Sequence, residues 1–354
     1  MSLNSQIFNY AGLIILASIG SYAVYIGSQK WIRYQARVRR ARQMPIEPLL
    51  HHDWRSEKPR QLRPFKPTYN ITMGIQQDSL SALIQVDNQY LEHTMGRRAI
   101  IEKYGKTVYG FRPGGEEATY ELYSYLLTHH LPSRFPGLFK IHNNVFENHI
   151  TGANFPAEPP HDPDYCLRVL AETVEEDIFL LQETESTHVC LAFACCHPAG
   201  FDPSAKLGAD LKAIHGPVPH FEKIGPSMER YFRKLEVGKS VKRVNWNIQI
   251  GTDITNIAGN HIKEGDTFVS DEAVNCEEGF LRCELQSLTR LPETKFILFS
   301  FKTYMYPLGD IKAEGSGPEL ADAIDGLLTG NAPGLNKYKG AVRWGKGVKD
   351  YLRS

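Results

Sequence analysis

The sequence predicts an α+β domain with an antiparallel sheet, preceded by a single membrane-spanning helix. Helical periodicity dominates the stretch after residue 78, and the alternation of strands dominates most of the chain that follows. Helices first, then antiparallel strands with helices between them, are typical of α+β folds. An uncharged N-terminal stretch with a basic flank is the third observation, and it predicts the membrane span.

The predicted span is the first element of the chain. Residues 1–29 carry no charged side chain, and residues 7–27 would form a helix about 31 Å long, close to the ~30 Å hydrocarbon core of a bilayer. Six basic residues follow between 30 and 42, before the first acid, Glu47. Because Lys and Arg concentrate on the cytoplasmic side, the sequence predicts a single-pass protein, by default of the endoplasmic reticulum, with its soluble domain in the cytosol. The alternative, a cleaved signal peptide, carries its positive charge before the apolar run.

Charge and cysteine content narrow the classes of function. The chain has 40 basic and 40 acidic residues, and without the basic flank 34 basic residues face the same 40 acids. This balance argues against a nucleic-acid partner, which would require a basic surface. The six cysteines include no C-x-x-C pair, so neither a zinc site nor a disulfide framework is indicated.

The first half of the soluble part is predicted to be helical. Residues 30–62 form a basic flank and a Pro-rich linker in this interpretation, which continues as extended chain to residue 68. Apolar residues at helical spacing predict helices at 78–86, 88–104 and 116–130. Leu131-Pro132 is expected to end the third helix, and residues 131–165 are predicted to be loop.

The second half is predicted to be mainly strands. Residues 188–195 form a short apolar run, and residues 243–250 alternate between apolar and polar side chains. Residues 281–287 alternate as well and are followed by a strand at 296–304, which together predict an antiparallel hairpin. A closing helix at 318–328 and a basic tail at 341–354 complete the chain.

His215 is one candidate for chemistry. A helix from residue 204 would present Leu207, Leu211 and Ile214 to the core, with His215 on its last turn before Gly216-Pro217. A helix-terminal imidazole that faces a cavity can bind a metal or a haem. The alternative is a capping or core histidine.

The polar face of the strand at 281–287 is the second candidate. Arg282, Glu284 and Gln286 share this face, and burial without partners would cost roughly 1–3 kcal/mol for each side chain. They must therefore face water, one another or a bound ligand, and an ordinary solvated face is the alternative.

Two further segments suggest other chemistry. Asp162-Pro-Asp164 is a D-x-D triplet, which can hold a metal and a nucleotide phosphate in glycosyltransferases, although it lies in a Pro-rich stretch. Cys195-Cys196-His197 suggests a metal or thiolate site, or simply buried cysteines. We find no Gly-rich phosphate loop, no H-E-x-x-H and no G-x-S-x-G motif.

Seven short motifs in order resemble a known family. They are Arg63-Pro-Phe with Met73-Gly, Asp87-x-x-Tyr90, Glu176-Asp177, Pro198 to Gly208 with Ile214-His-Gly-Pro-Val-Pro219, Arg243-Val-Asn-Trp246, Arg282 to Pro292 with Phe299 to Tyr304, and Tyr338-Lys-Gly340. This set resembles the haem-dependent oxidative N-demethylase α-subunit-like proteins, and it covers residues 63–340, the predicted soluble domain. Two positions differ from the family pattern: Leu285 stands in place of an Arg in the proposed active face, and Phe201 in place of a Trp.

The resemblance implies a PAS-like haem domain, an antiparallel sheet with flanking helices. It implies haem b, with His215 as the proximal ligand to the iron and with candidate propionate partners in Lys206, Arg243 and Arg290. It also places Arg282, Glu284 and Gln286 beside the bound O2 or the substrate.

The function that follows is a membrane-anchored haem monooxygenase that demethylates an amine or a related small molecule. The sequence shows no flavin or NAD fingerprint and no iron–sulfur cysteine run, so a separate flavin-containing reductase is expected to supply the electrons. A non-catalytic haem or ligand sensor and a membrane-bound glycosyltransferase are the alternatives.

Overall fold

The computed structural model describes residues 44–354 apart from 263, 264 and 272, and a few positions between 25 and 39. Within these residues the chain forms an α+β domain, in which helices flank one large antiparallel sheet. This confirms the predicted fold class, while its PAS-like character stays a prediction.

The strands of the described residues form two antiparallel sheets. The large sheet has the order β1-β8-β9-β10-β6-β7-β2 and the small sheet has the order β3-β4-β5. The predicted hairpin is confirmed as β9 and β10, in which Glu284 pairs with Thr303. The strands are β1 (Gln76–Asp78), β2 (Tyr109–Phe111), β3 (Phe139–His142), β4 (Val145–Asn148), β5 (Asn154–Pro156), β6 (Asp177–Glu183), β7 (His188–Ala194), β8 (Ser240–Ile250), β9 (Gly279–Arg290) and β10 (Ile297–Pro307).

The helices lie before, between and after these strands. A π-helical segment, Tyr125–His130, and one more α turn, Leu131–Arg134, extend helix α2. Short 3-10 turns lie at Leu80–Ala82, Gly105–Thr107, Pro203–Lys206, Phe221–Lys223 and Cys276–Glu278. The α-helices are α1 (Tyr90–Tyr104), α2 (Glu116–Ser124), α3 (Pro163–Thr173), α4 (Leu211–Ile214), α5 (Gly225–Lys234), α6 (Leu308–Ala313), α7 (Gly317–Thr329), α8 (Leu335–Tyr338) and α9 (Ala341–Arg353).

The large sheet has a front and a back face, each with its own core. The front face bears Phe179, Phe193 and Phe301 and packs against side chains of the segment 211–235. The back face packs against α1 to α3 at β6 and β7, and against α6 to α9 at β8 and β9. Because successive side chains of a strand point to opposite faces, β9 contributes alternate residues to each core.

The segment predicted as a linker is part of this domain. Met44 and Trp54 are buried in the core around α1 to α3, and Arg63 forms an ion pair with Glu314 of the loop after α6. The Pro-rich composition reflects extended chain that lies on the domain surface. Composition alone does not distinguish such chain from a free linker, because both are polar and irregular.

Other predicted elements also differ from the structure. The predicted helix at 78–86 is only a 3-10 turn, Leu80–Ala82, directly after β1. Pro132 does not end the third predicted helix, because it lies in the first turn after the π-helical segment, where a proline is tolerated. The predicted loop at 131–165 contains β3 to β5 and the start of α3. Each of these strands has only three or four residues, which is too short for an alternating pattern to indicate it. The predicted basic tail is α9, in which Arg353 pairs with Asp322 and Asp325 of α7.

The predicted membrane topology is corrected. In the part of the chain that the structure describes, no helix has both the length and the apolar character needed to cross a bilayer. This finding contradicts the prediction of a single-pass membrane protein of the endoplasmic reticulum. The predicted anchor, residues 1–29, lies outside the described residues except for positions 25 and 28.

A buried ion cluster lies on the back face of β10. The Nζ atom of Lys302 is 2.8 Å from Oδ2 of Asp87 and 2.6 Å from Oε2 of Glu175, and Nδ1 of His93 is 2.7 Å from Oε1 of Glu175. Burial alone would lower the pKa of Lys302, but the nearby carboxylates raise it above its usual range. The cluster therefore joins β10 to the chain before α1 and to the chain before β6.

Candidate active site and cofactor cavity

One cavity of about 770 Å³ extends on both sides of the large sheet. Glu284 and Gln286 of β9 line it from the front face, and Leu285 lines it from the back face. Since β9 lies between β8 and β10, the two parts must be connected around the edge of the sheet.

That connection lies at the outer edge of β8. β1 pairs only with Ser240 to Lys242, so from Arg243 onwards this edge has no strand partner among the described residues. Residues 60–76, here called the strap, lie across it and contribute much of the lining. We call the front part, which contains His215, the histidine lobe, and the back part, between the strap and β8, the strap lobe.

His215 lies in the cavity wall at the C-terminal end of α4. The predicted helix from residue 204 is wrong in part, because the 3-10 turn Pro203–Lys206 ends before the non-helical residues 207–210 and only 211–214 are α-helical. Asp210 caps α4 by accepting from the amide of Ala213 (2.7 Å), and the His215 ring stacks on Phe221 at 4.5 Å between centroids. Nδ1 of His215 is 2.8 Å from the carbonyl oxygen of Leu211. A ring nitrogen beside a carbonyl oxygen carries the proton, which leaves Nε2 as an acceptor with no hydrogen-bond partner among the described residues.

The electrostatics of the site keep this imidazole neutral. Burial lowers the pKa of His215, and Lys206 and Arg243 lower it further, although the bond to Leu211 works in the opposite direction. A neutral imidazole that donates through one nitrogen to a carbonyl presents its other nitrogen as a ligand, which is the usual arrangement of metal-bound histidines.

Two of the three predicted propionate partners line the same lobe. Lys206 donates from Nζ to the carbonyl oxygen of Ile214 (2.8 Å), and its Nζ lies 5.6 Å from the ring centroid of Phe201. The Nε atom of Arg243 is buried and has no hydrogen-bond partner among the residues the structure describes. Such an orphaned donor is costly, and a ligand carboxylate in this lobe would satisfy it.

A row of polar groups connects β9, β8 and the chain before α9. Gln286 donates from Nε2 to Oε2 of Glu284 (2.8 Å), Asn245 donates to the same oxygen (3.4 Å), and Lys339 donates to Oδ1 of Asn245 (3.3 Å). Oε1 of Glu284 has no partner among the described residues. The row therefore holds one carboxylate oxygen in place and leaves the other as an acceptor in the wall of the cavity.

The structure does not bring Arg282 or Arg290 to the cavity. Arg282 donates from Nη2 to the carbonyl oxygen of His197 (2.7 Å) and from Nη1 to that of Ile254 (2.9 Å). It thereby holds two loops against β9. Arg290 donates from Nε to the carbonyl oxygen of Leu235 (2.7 Å) and from Nη2 to that of Phe232 (2.5 Å). It thereby caps the end of α5.

The two departures from the family pattern both line the cavity, but in different lobes. Leu285 faces the strap lobe, opposite to Glu284 and Gln286. The sequence-based assignment of Leu285 to the active face is therefore wrong, because adjacent residues of a strand cannot share a face. Phe201 faces the histidine lobe beside Lys206.

The competing motifs have structural roles. Asp162 caps α3 through Oδ1, which accepts from the amides of Asp164 (3.0 Å) and Tyr165 (3.1 Å), and Asp164 pairs with Lys106. This arrangement does not support the glycosyltransferase alternative. Cys196 is buried, and burial raises the pKa of its thiol to about 12, so it is protonated at neutral pH.

Sequence reasoning missed two components of the cavity. Asn245 lies on the polar side of β8, and the alternation of residues 243–250 could have indicated it, because Arg243 lies on that side too. The strap had no usable signal. Its only short pattern is the pair of family motifs at residues 63–65 and 73–74, which do not indicate what they contact.

This α+β domain has a largely apolar cavity, whose wall contains an anchored neutral imidazole and charged side-chain atoms without partners among the described residues. Such a cavity is typical of proteins that bind a cofactor or a small molecule. A comparison with protein families then matches residues 74–349 to "Haem-dependent oxidative N-demethylase, alpha subunit-like". Because the match covers most of the chain, this protein belongs to that family, which confirms the resemblance seen in the sequence.

Proposed function

We propose that this protein is a haem-dependent monooxygenase that oxidatively demethylates an amine. The observation that carries the proposal is His215, whose Nδ1 is fixed by Leu211 and whose Nε2 has no partner among the described residues, in the wall of the histidine lobe. The family match supports haem dependence and oxidative chemistry.

The residues of the histidine lobe fit a haem. The described residues contain no group of three or more side chains able to hold a bare metal ion, so a single imidazole would need an iron that brings its own ligands, as a porphyrin does. His215 would bind that iron. Arg243 and Lys206 would pair with the propionates, and the aromatic wall, including Phe299 and Phe301, would pack against the macrocycle.

The side chains of the polar row would bind the substrate. At neutral pH a secondary or tertiary alkylamine is protonated, and Oε1 of Glu284 would accept a hydrogen bond from its N–H group. Gln286 and Asn245, which bond to Oε2, would keep the carboxylate oriented. The apolar walls would exclude water, which strengthens this charged hydrogen bond.

Haem, when bound, supplies the O2 chemistry by which one oxygen atom enters a C–H bond next to nitrogen and the other leaves as water, at the cost of two electrons and two protons. The resulting carbinolamine breaks down to an amine and an aldehyde. The sequence has no flavin or NAD fingerprint, and a separate flavin-containing reductase is therefore our proposed electron donor.

Absorption spectra test this proposal. The full-length chain, produced with haem available, is expected to show a Soret band that H215A loses or shifts. The matched control is H220A, because His220 lies five residues further on, pairs with Glu222 and does not line the cavity. Its spectrum should equal that of the wild type. A wild-type protein without a Soret band contradicts the proposed function, and an unchanged spectrum of H215A contradicts the assignment of the ligand.

A further inference from the structure

The strap lobe is the part of the cavity that lies on the opposite face of the sheet from His215, and its walls are mainly apolar. Its walls are formed by Leu62 and Tyr69 of the strap, Val244 and Trp246 of β8, and Leu285 of β9. All five side chains pack in the core of the back face, whereas His215 packs with Phe221 on the front. A molecule in this lobe would contact mainly carbon.

Two cationic side chains beside the strap lobe, Lys339 and Arg63, have hydrogen-bond partners within the protein. Lys339 donates from Nζ to the carbonyl oxygen of Trp246 (2.5 Å) and to Asn245. Arg63 forms a two-point ion pair with Glu314, with distances of 2.5 and 2.7 Å. The carboxylate of Glu314 compensates the charge of Arg63, whereas Lys339 makes its hydrogen bonds to neutral oxygen atoms.

The strap is held by contacts that keep this lobe open before a ligand arrives. Tyr69 donates its amide to the carbonyl oxygen of Gly326 (3.0 Å), and Ile71 donates to Oδ1 of Asn331 (2.7 Å). At Gly330 an added Cβ would lie 1.6 Å from the carbonyl oxygen of Tyr69, so the close approach of the two segments requires glycine there. A preformed lobe binds a ligand without the cost of ordering it.

The edge of β8 limits which ligands can extend from one lobe into the other. A rigid, planar macrocycle beside His215 cannot bend around this edge, but a flexible chain can. The way around it is lined by Arg243 and Asn245, and Asn245 donates to the carboxylate of Glu284. A ligand whose nitrogen lies at Glu284 could therefore extend its substituent into the strap lobe.

We propose that the strap lobe binds the apolar substituent of the substrate, so that the substrate is an N-methylated amine with an unbranched apolar chain rather than a small polar amine. This inference rests on the proposed function and deepens it. It assigns the choice of substrate to residues on the back face of the sheet, on the opposite side from His215.

A homologous ligand series tests this directly. Binding of N,N-dimethylalkylamines, from propyl to octyl, to the full-length chain as purified is measured by isothermal titration calorimetry. Burial of each additional methylene contributes about 0.8 kcal/mol, which corresponds to an affinity gain of about fourfold for each carbon. We expect this gain to continue until the lobe is filled.

Two substitutions on the same strand separate the lobes. Leu285 faces the strap lobe and Leu288 faces the histidine lobe, so L285W fills one and L288W narrows the other. We expect the chain-length gain to disappear in L285W and to persist in L288W. The inference is overturned if the gain persists in L285W, if it disappears only in L288W, or if the wild type shows none.

The result does not depend on the folding of one variant or on the presence of haem. L62W fills the same lobe from the half-buried strap side, and the melting temperature of each variant identifies those that remain folded. The dependence on chain length is a binding measurement, so it can fail while the Soret band is present. Conversely, a missing Soret band contradicts the proposed function, and the chain-length result then still shows whether the strap lobe binds an apolar chain.

Discussion

Glu284 and Lys302 lie on neighbouring strands of the large sheet, but on opposite faces, and only Lys302 has partners of opposite charge. Lys302 is buried between Asp87 and Glu175, both within hydrogen-bond distance. Glu284 is nearly as buried, but it bonds only to the side-chain amides of Asn245 and Gln286. One of its oxygens has no partner among the described residues.

The difference shows how the two faces of one sheet can serve separately to stabilise the fold and to bind a ligand. A buried charge without a partner is costly, and the ion cluster avoids that cost by placing opposite charges in contact. In the cavity wall the chain leaves acceptors and donors on Glu284 and Arg243 unmatched, and a bound ligand can match them. The following predictions test this contrast, in order of decreasing effect.

Replacing Lys302 with methionine should cause the largest loss of stability. K302M leaves Asp87 and Glu175 buried without their common partner, and the removal of one member of a buried ion pair costs about 3–5 kcal/mol. Urea unfolding of the full-length chain measures the loss. The control is K312M, because Lys312 contacts the hydroxyl group of Ser354 and the ring of Tyr351 at the surface and pairs with no carboxylate among the described residues. A loss below about 1 kcal/mol in K302M would show that the cluster does not stabilise the fold.

Glu176, next to the ion cluster, should make the stability depend on pH. Burial raises the pKa of Glu176 from 4.5 to about 7, and Glu175 raises it too, while Lys302 acts against the shift. The folded chain thus keeps a proton that the unfolded chain has lost. From pH 4.5 upwards this group costs increasing stability, and the cost is complete above about pH 7.

E176Q removes this cost at high pH only. At 1.36 kcal/mol for each pKa unit, the substitution should stabilise the chain by about 3 kcal/mol at pH 8 and by almost nothing at pH 4.5. Urea unfolding of the wild type and E176Q at both pH values measures the difference. An equal effect at both pH values would mean that the carboxyl group does not titrate in this range.

Replacing Glu284 with glutamine should change binding and leave stability almost unchanged. A hydrogen bond to a charged group contributes about 1.5–3 kcal/mol, so E284Q should bind an N,N-dimethylalkylamine at least about tenfold more weakly. Its Soret band and its unfolding midpoint should remain within error of the wild type. The matched control is E222Q, because Glu222 is exposed and outside the cavity lining. Equal amine affinity in E284Q and the wild type would show that Glu284 does not bind the substrate amine.

The sequence alone predicted the parts of the fold that depend on local pattern. The alternation in β8 and β9 and the hairpin with β10 were confirmed, and His215 follows a helical turn as predicted, although that turn is much shorter than the predicted helix. These predictions succeeded because hydrophobic periodicity and helix-ending residues act within a few positions of each other. Family motifs then added the expectation of haem.

Predictions that depended on distant contacts were less successful. Arg282, Glu284 and Gln286 share a face, as the pattern requires, but the cavity ends before Arg282, which bonds to loop carbonyl oxygens instead. Arg290 likewise donates to a carbonyl oxygen at the end of α5 instead of reaching the cavity. The reach of a long side chain and the extent of a cavity depend on which loops pack above a strand, and no local pattern contains that information.

The sequence by itself determined the α+β class and the strand faces, because both follow from the spacing of side chains along the chain, and the resemblance to the family supplied His215 as a candidate ligand. Only the tertiary structure decided that residues 60–76 pack as a strap across the open edge of β8, and that the cavity therefore has two lobes. That arrangement depends on contacts such as Tyr69 with Gly326 and Arg63 with Glu314, which join residues about 250 positions apart. Such contacts depend on the packed shape of the whole domain.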